Sequence, residues 1–382
     1  MSRSTVWTMA LIACAAPAWG QAETRAEVWQ GEVGKLPVVV ELSGEHTLDG
    51  QYFYRKHLRD LELQGVRDGS GVHLQVRDRD DRITERWELR ERGGALEGQW
   101  RAGKRSLPVR LQRVDLAALR AGKNGERYDR AGAQAGAYDA LRLSELSLQP
   151  GRSEDFQGHR LQWWSEPRSG MDLFTVESGY DEATRSRLNR ILRQRLWRSA
   201  LDALQCRSAE NSDFEQSVTP RLLDRRFLSV SLMSSYYCGG AHPDFGDAPL
   251  NLDVRDGREL DLQDVLWLGK GRPPAAEAER RDYDDPEYQR LRDYRDNTLA
   301  PWIVATLDKL RPQDMAAPAK PDEGCDYRDT QVWNLPIWHL RPEGLYLGPY
   351  FARVARACEY PEWSVIPWPQ VERHPGAALK AK

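Results

Sequence analysis

Beyond its first two dozen residues the sequence has no apolar run long enough to cross a bilayer as a helix, which excludes a membrane protein built from several spanning helices. Neither charge is in clear excess: 55 Lys and Arg stand against 58 Asp and Glu, interspersed along 382 residues, so there is no basic field to hold nucleic acid. Histidine is scarce. His46, His57, His73, His159, His242, His339 and His374 are scattered singly, and without an H-E-x-x-H or C-x-x-C spacing the usual zinc signatures are missing. The acids Asp78, Asp80 and Asp81 alternate with Arg77, Arg79 and Arg82 and lack the glycine of a calcium loop, so they read as a charged hairpin tip. There is no G-x-S-x-G nucleophile motif and no internal repeat. No catalytic residue, metal or cofactor is therefore assigned from sequence.

Cysteine is also sparse, five in all, and its placement is informative. The chain opens MSRSTVWTMALIACAAPAWGQAET, with Arg3 before an apolar run from Val6 to about Trp19 and then small residues. That is the pattern of a signal peptide over residues 1–22. Leu11, Ile12, Ala13, Cys14 also resembles a lipoprotein box, so a lipid anchor at Cys14 is the alternative to free export. The four remaining cysteines, Cys206, Cys238, Cys325 and Cys358, suit two disulfides in an oxidising compartment, periplasmic or secreted. Three pairings are open, and the nearest in sequence, Cys206 with Cys238 and Cys325 with Cys358, is favoured.

Residues 23–114 read as about eight short alternating strands separated by turns at spacings near ten residues, which predicts an all-β meander closed as a small barrel or folded as a sandwich. Residues 115–140, rich in Ala, Gly, Arg and Asp, read as a linker. Residues 141–374 mix both structures, so the fold class is α+β. Strands are expected at LRLSELSL, HRLQWWSE and DLFTVES. Two long helices packed on antiparallel sheet follow, one carrying the stripe Leu188, Ile191, Leu192, Leu196, Ala200 and Ala203, the other running from Pro286 to Leu310. Residues 375–382 read as a tail. Fourteen tryptophans and fourteen tyrosines supply core area and contact surface alike.

The stretch YYCGGAHPDFGDAPLNLDVRDGREL then carries a resemblance. Gly239 to Pro243, the turn from Asp253 to Gly257, Leu262 with Asp264 and Val265, and the late Ile366–Pro367 together resemble one particular extracytoplasmic domain. It is shared by the lysozyme-sensing anti-sigma factor of Gram-positive bacteria and the accessory region of a peptidoglycan deacetylase. The resemblance implies an α+β module that binds a protein ligand such as lysozyme, or peptidoglycan, without chemistry. Two departures stand out: no transmembrane helix with a cytoplasmic segment, and an added β domain at the N-terminus.

Cys238 and His242 could form a thiolate–imidazole pair. In an oxidising compartment the disulfide reading prevails, and the paired glycines read as a tight turn. His242, Asp244 and Asp247 could meet a cation, but solvated turn acids are the simpler account. The candidate binding residues are Tyr237, Gly239, Gly240, His242, Pro243 and Asp244. The expectation is a non-enzymatic envelope binding module, and a cell-wall-active hydrolase, or an accessory to one, is its alternative.

Overall fold

The computed structural model describes residues 26–132, 135–275, 278–279, 281–320 and 324–380. The signal-peptide reading of residues 1–22 and the acylation reading of Cys14 lie outside the described residues. No helix among the described residues is long and apolar enough to cross a membrane. The described residues divide into two compact units, those up to residue 52 with 61–114, and residues 53–60 with those from 115 onward.

The first unit is a closed antiparallel barrel of eight strands in sequence order: β1 (Glu27–Val33), β2 (Leu36–Ser43), β3 (Thr47–Tyr54), β4 (Leu61–Asp68), β5 (Gly71–Arg77), β6 (Ile83–Arg92), β7 (Ala95–Ala102) and β8 (Arg105–Arg113). Closure comes from β1, which pairs with β2 on one side and with β8 on the other. Alternate residues turn inward, as the two-residue period requires. Trp29, Val38, Val40, Leu48, Leu63, Leu74, Trp87, Leu96 and Leu111 are almost wholly buried, so the interior is filled by the barrel's own side chains. Side-chain ties through a carboxylate stand near both ends. At one, Glu27 accepts from Arg67 at 2.7 Å and Arg113 at 3.1 Å. At the other, Glu85 accepts from Tyr52 Oη and Trp100 Nε1, each at 2.7 Å. Eight strands close only if they bend, and Gly98 marks one bend: a Cβ there would lie 1.9 Å from the carbonyl oxygen of Glu88 on the neighbouring strand.

The second unit takes in the chain from Asp115 onward and also residues 53–60, the end of β3 and the segment leading to β4. Within it Asp60 accepts from Tyr138 Oη at 2.6 Å and pairs with Arg142, whose guanidinium is fully buried between the rings of Phe53 and Tyr138. The stretch expected as a linker is therefore structured. It holds α1 (Leu116–Ala121), a 3₁₀ turn (Gly125–Tyr128) and the start of α2 (Ala137–Ser144). Its arginines fix it: Arg127 donates to the carbonyl of Ser144, and Arg130 to those of Leu143 and Leu146, each at 2.6 Å. Composition pointed to a linker because small residues and glycine carry no apolar period; arginine-to-carbonyl bonds leave no such trace. The strand expected at LRLSELSL is also corrected, because Leu141 to Ser144 finish α2, and β9 (Gln149–Phe156) begins only after Leu148.

Strands β9, β10 (His159–Glu166) and β11 (Met171–Val176) form one antiparallel sheet. Helix α3 (Glu182–Cys206) lies against β11, burying Leu188, Leu192, Leu196 and Ala200. Asp181 caps it, accepting from the amide of Thr184 at 3.0 Å. A second sheet centres on β13 (Phe227–Tyr237). β12 (Asp213–Leu223) pairs along one edge of it, and β14 (Asp244–Asp247) and β15 (Leu250–Asp253) share the other. The short helix α4 (Leu262–Val265) starts in a capping box of Asp261 and Asp264.

The helix expected from Pro286 to Leu310 is interrupted. α5 (Pro286–Tyr294) passes into a π turn (Arg295–Leu299) and then α6 (Ala300–Leu310). Pro301 is the physical reason: it has no amide to donate and its ring crowds the carbonyl four residues back. The preceding turn widens, and the amide of Ala300 reaches five residues back to the carbonyl of Arg295. A third sheet, β16 (Ile337–Arg341), β17 (Gly344–Gly348) and β18 (Val365–Pro367), closes the core with α7 (Trp368–Val371) and α8 (Ala377–Lys380). Within the expected tail, α8 joins this core: Ala378 is buried, and its carbonyl accepts from Arg226 and Arg255 at 3.1 Å.

Gly98→Ala is expected to force β6 from β7 and to destabilise the barrel by about 1–3 kcal/mol or more, read as a lower denaturation midpoint in urea.

Candidate functional site

The Gly239–Pro243 corner is the exposed connection between β13 and β14. The register that produces it pairs Tyr236 with Asp244 and, on the other edge of β13, Tyr237 with Asp213. Tyr237 is half-buried at the strand end, and Gly240, Ala241 and His242 are exposed at the apex. The two glycines differ. Gly239 has φ +84°, and a Cβ there would sit 2.8 Å from that of Ala209, just past the end of α3. Gly240 has open space around it.

The corner is held on both flanks. On one, Cys238 is bonded to Cys206, the last residue of α3, so Cys238 has no thiolate to offer His242. On the other runs a 3₁₀ turn (Arg353–Cys358) whose Cys358 is bonded to Cys325. Arg353 donates to the carbonyl of Pro243 at 3.0 Å. Arg356 pairs with Asp244, donates to the carbonyl of Phe245 at 2.5 Å, and lies 4.3 Å over the Phe245 ring. The same guanidinium reaches Glu359 at 3.1 Å, and Glu359, itself buried, accepts from the amide of Phe351 at 3.0 Å. Phe245 and the fully exposed Val354 leave apolar surface on the outside of this clasp.

Asp244 and Asp247 are corrected from solvated turn acids to strand residues. Asp247 is buried, and it accepts from Ser231 Oγ and the amide of Leu232, each at 2.7 Å. Desolvation holds its carboxyl above the usual range. Its amide donates to Tyr360 Oη at 3.0 Å, a further tie between β14 and the clasp. Beneath lies a polar layer where β16 meets β13 and β15. Ser229 Oγ bonds Asn251 at 2.6 Å and accepts from the amide of Leu340 at 3.0 Å, and Asn251 donates to the carbonyl of Trp338 at 3.1 Å. His339 lies in this layer, 1% exposed and stacked 4.3 Å from Tyr346, with no partner for Nδ1 among the described residues. Burial, with the charges of Arg221 and Arg341 nearby, pushes its pKa down to about 2.

A second feature, unforeseen in the sequence, is a cleft of about 570 Å³ over the π turn, lined by residues that include Tyr288, Arg292, Arg295, Gln331, Asn334 and Leu335. A smaller cleft of about 240 Å³ shares Arg295 and Leu335 with it. The sequence signal for it was Pro301 inside a helical pattern. For the clasp the signal was the i, i+3 spacing of Arg353, Arg356 and Glu359 around Cys358. Among the described residues no three His, Cys, Asp or Glu side chains stand close enough to share a metal ion. No protein family and no curated protein was found to match the chain.

Gly239→Ala should lower thermal stability measurably while Gly240→Ala leaves it unchanged within about 0.5 kcal/mol, a contrast that scanning calorimetry reads directly. His339 adds a pH dependence. Its folded pKa lies below the unfolded value, so the unfolded chain alone takes up a proton below about pH 6.5, and stability falls as pH falls. Urea denaturation between pH 6 and pH 4 should show a loss of about 1.4 kcal/mol per pH unit from this group. Asp247, whose raised pKa acts in the opposite sense, opposes it at the acid end. His339→Gln should remove one proton from the slope.

Proposed function

We propose that this chain is an exported envelope protein that binds a protein or cell-wall ligand, without acting on it chemically, through the face around Gly239–Pro243. The observation that carries the reading is the combination of exposure and fixation at this corner. Ala241 and His242 are open to solvent, while disulfide, Arg353 and Arg356 hold the chain on either side. A surface ordered before its ligand arrives loses little conformational entropy on binding, which is what a recognition loop requires. Two disulfides and the signal-like N-terminus support an oxidising, extracytoplasmic location. The resemblance of the Gly-Gly-Ala-His-Pro segment to a lysozyme-sensing domain supports a ligand of the same class. Phe245 and Val354 add apolar contact area beside the polar apex.

Immobilised protein is expected to retain lysozyme, or to sediment with insoluble peptidoglycan, and His242→Ala and Tyr237→Ala should each weaken that retention about tenfold at unchanged thermal stability. Retention by neither probe, or retention indifferent to both substitutions, rejects this face. Release of soluble fragments from peptidoglycan, abolished by His242→Ala, would establish the hydrolase alternative instead.

A further inference from the structure

The barrel carries an uneven distribution of charge at one end. Its first and last hairpins, β1–β2 and β7–β8, turn through Gly34–Lys35 and Gly103–Lys104. In each turn the glycine has positive φ, +66° and +57°, and the lysine does not, which is the two-residue turn that follows the twist of the flanking strands. The two tips are neighbours because β1 pairs with β8. The amide of Gly34 donates to the carbonyl of Pro108 at 2.7 Å, and a Cβ on Gly34 would lie 3.3 Å from the Leu107 side chain. Residues 33–37 and 102–107 contain Lys35, Lys104 and Arg105, all exposed, and no acid. Beside Lys35 stands Leu36, 47% exposed.

Among the described residues Lys35, Lys104 and Arg105 make no ion pair and no side-chain hydrogen bond. The acids of the adjoining wall have partners of their own. Glu88 pairs with Arg101 at 3.2 Å, Glu32 stands opposite Arg110 in the β1–β8 register, and Glu85 is bonded to Tyr52 and Trp100. The next tip around the barrel, residues 77–82, sets three arginines against three aspartates, with Arg77 on Asp81 at 3.2 Å and Arg82 on Asp80 at 3.0 Å. Farther down the wall Arg86 stands directly opposite Arg101, and like charges in that position repel. Unmatched positive charge is therefore gathered on two adjacent turns, in a chain whose net charge is −3.

We infer that these two turns are a docking surface for an anionic lipid bilayer, with Lys35, Lys104 and Arg105 meeting headgroup phosphates and Leu36 entering the boundary beneath them. A hairpin tip is convex, so it meets a plane of headgroups, whereas a single polyanionic strand is held in a groove. Lysine and arginine stems are long enough to keep their charges at the phosphates while a leucine goes deeper. The surface lies in the first unit, and its test does not depend on what the Gly239–Pro243 corner binds.

The probe is vesicles, of phosphatidylcholine alone or mixed with phosphatidylglycerol in equal parts, sedimented with the full chain at low ionic strength. Binding to the anionic vesicles should exceed binding to the neutral ones at least about tenfold, and salt at about 1 M should erase the difference. Lys35→Gln, Lys104→Gln and Arg105→Gln should each weaken binding about two- to fivefold, and all three together should remove the preference for anionic vesicles. Leu36→Ser should weaken binding about two- to fivefold and leave its salt dependence as it was. Arg92→Gln, at the opposite end of the barrel, is the control and should change nothing. Unchanged denaturation midpoints are expected throughout, because all of these side chains are exposed. Equal binding to both vesicles, binding to neither, a triple variant that binds as the original chain does, or an Arg92→Gln loss as large as that of Lys104→Gln overturns the inference. Capture by soluble polyphosphate without any vesicle binding also overturns it, and points to a polymer instead.

Discussion

A guanidinium presents five N–H donors in a plane and accepts nothing, so a largely buried arginine organises whatever acceptors surround it. Arg356 is 14% exposed and gathers Asp244, the carbonyl of Phe245 and Glu359 around one group. Two of these acceptors belong to β14 and one to the segment just past the 3₁₀ turn. The position of the corner therefore depends on a side chain more than a hundred residues further along the chain. Glu359 makes the arrangement firm because it is buried, hydrogen-bonded to the amide of Phe351 and paired with the guanidinium that holds Asp244. Without that charge, Asp244 would lose its tie to the 3₁₀ turn, and Phe245 would keep its ladder bonds to β13 and its ring contact with Tyr360.

Beneath the clasp the polar layer of Ser229, Asn251 and the β16 backbone gives two sheets one relative setting. Apolar side chains alone would tolerate some sliding between β13 and β16. A hydroxyl that must meet the amide of Leu340, and a carboxamide that must meet the carbonyl of Trp338, allow one register. His339 is a destabilising member of this layer at acid pH, because its neutral form is the only one the surroundings accept. The layer thus couples the definition of the fold to the protonation state of one ring.

The barrel was readable because its strands are local: every pairing except that of β1 with β8 joins neighbours in sequence, and the turn residues between them mark each boundary. Helix α3 was readable for the same reason, since Leu188, Leu192 and Leu196 announce a buried stripe within one segment. What sequence reasoning missed was fixed by distant partners. Residues 115–140 gain their order from arginines bonded to carbonyls, and residues 377–380 from Arg226 and Arg255, none of which leaves a periodic trace. Asp244 and Asp247 looked like turn acids because Arg356 and Tyr360, which tie them into the fold, lie more than a hundred residues further along the chain. The residues proposed for binding come together because they are consecutive; Arg353, Arg356 and Tyr360, which hold them, do not.

The two disulfides span 32 and 33 residues and follow one another without overlap. A chain made from its N-terminus presents Cys206 and Cys238 before Cys325 appears. The first bridge can close while no wrong partner is present, and the second then has a single choice left. Each closed loop limits the unfolded ensemble by roughly 3–4 kcal/mol in the chain-entropy account. Consecutive connectivity of this kind matches the order in which the cysteines follow one another along the chain.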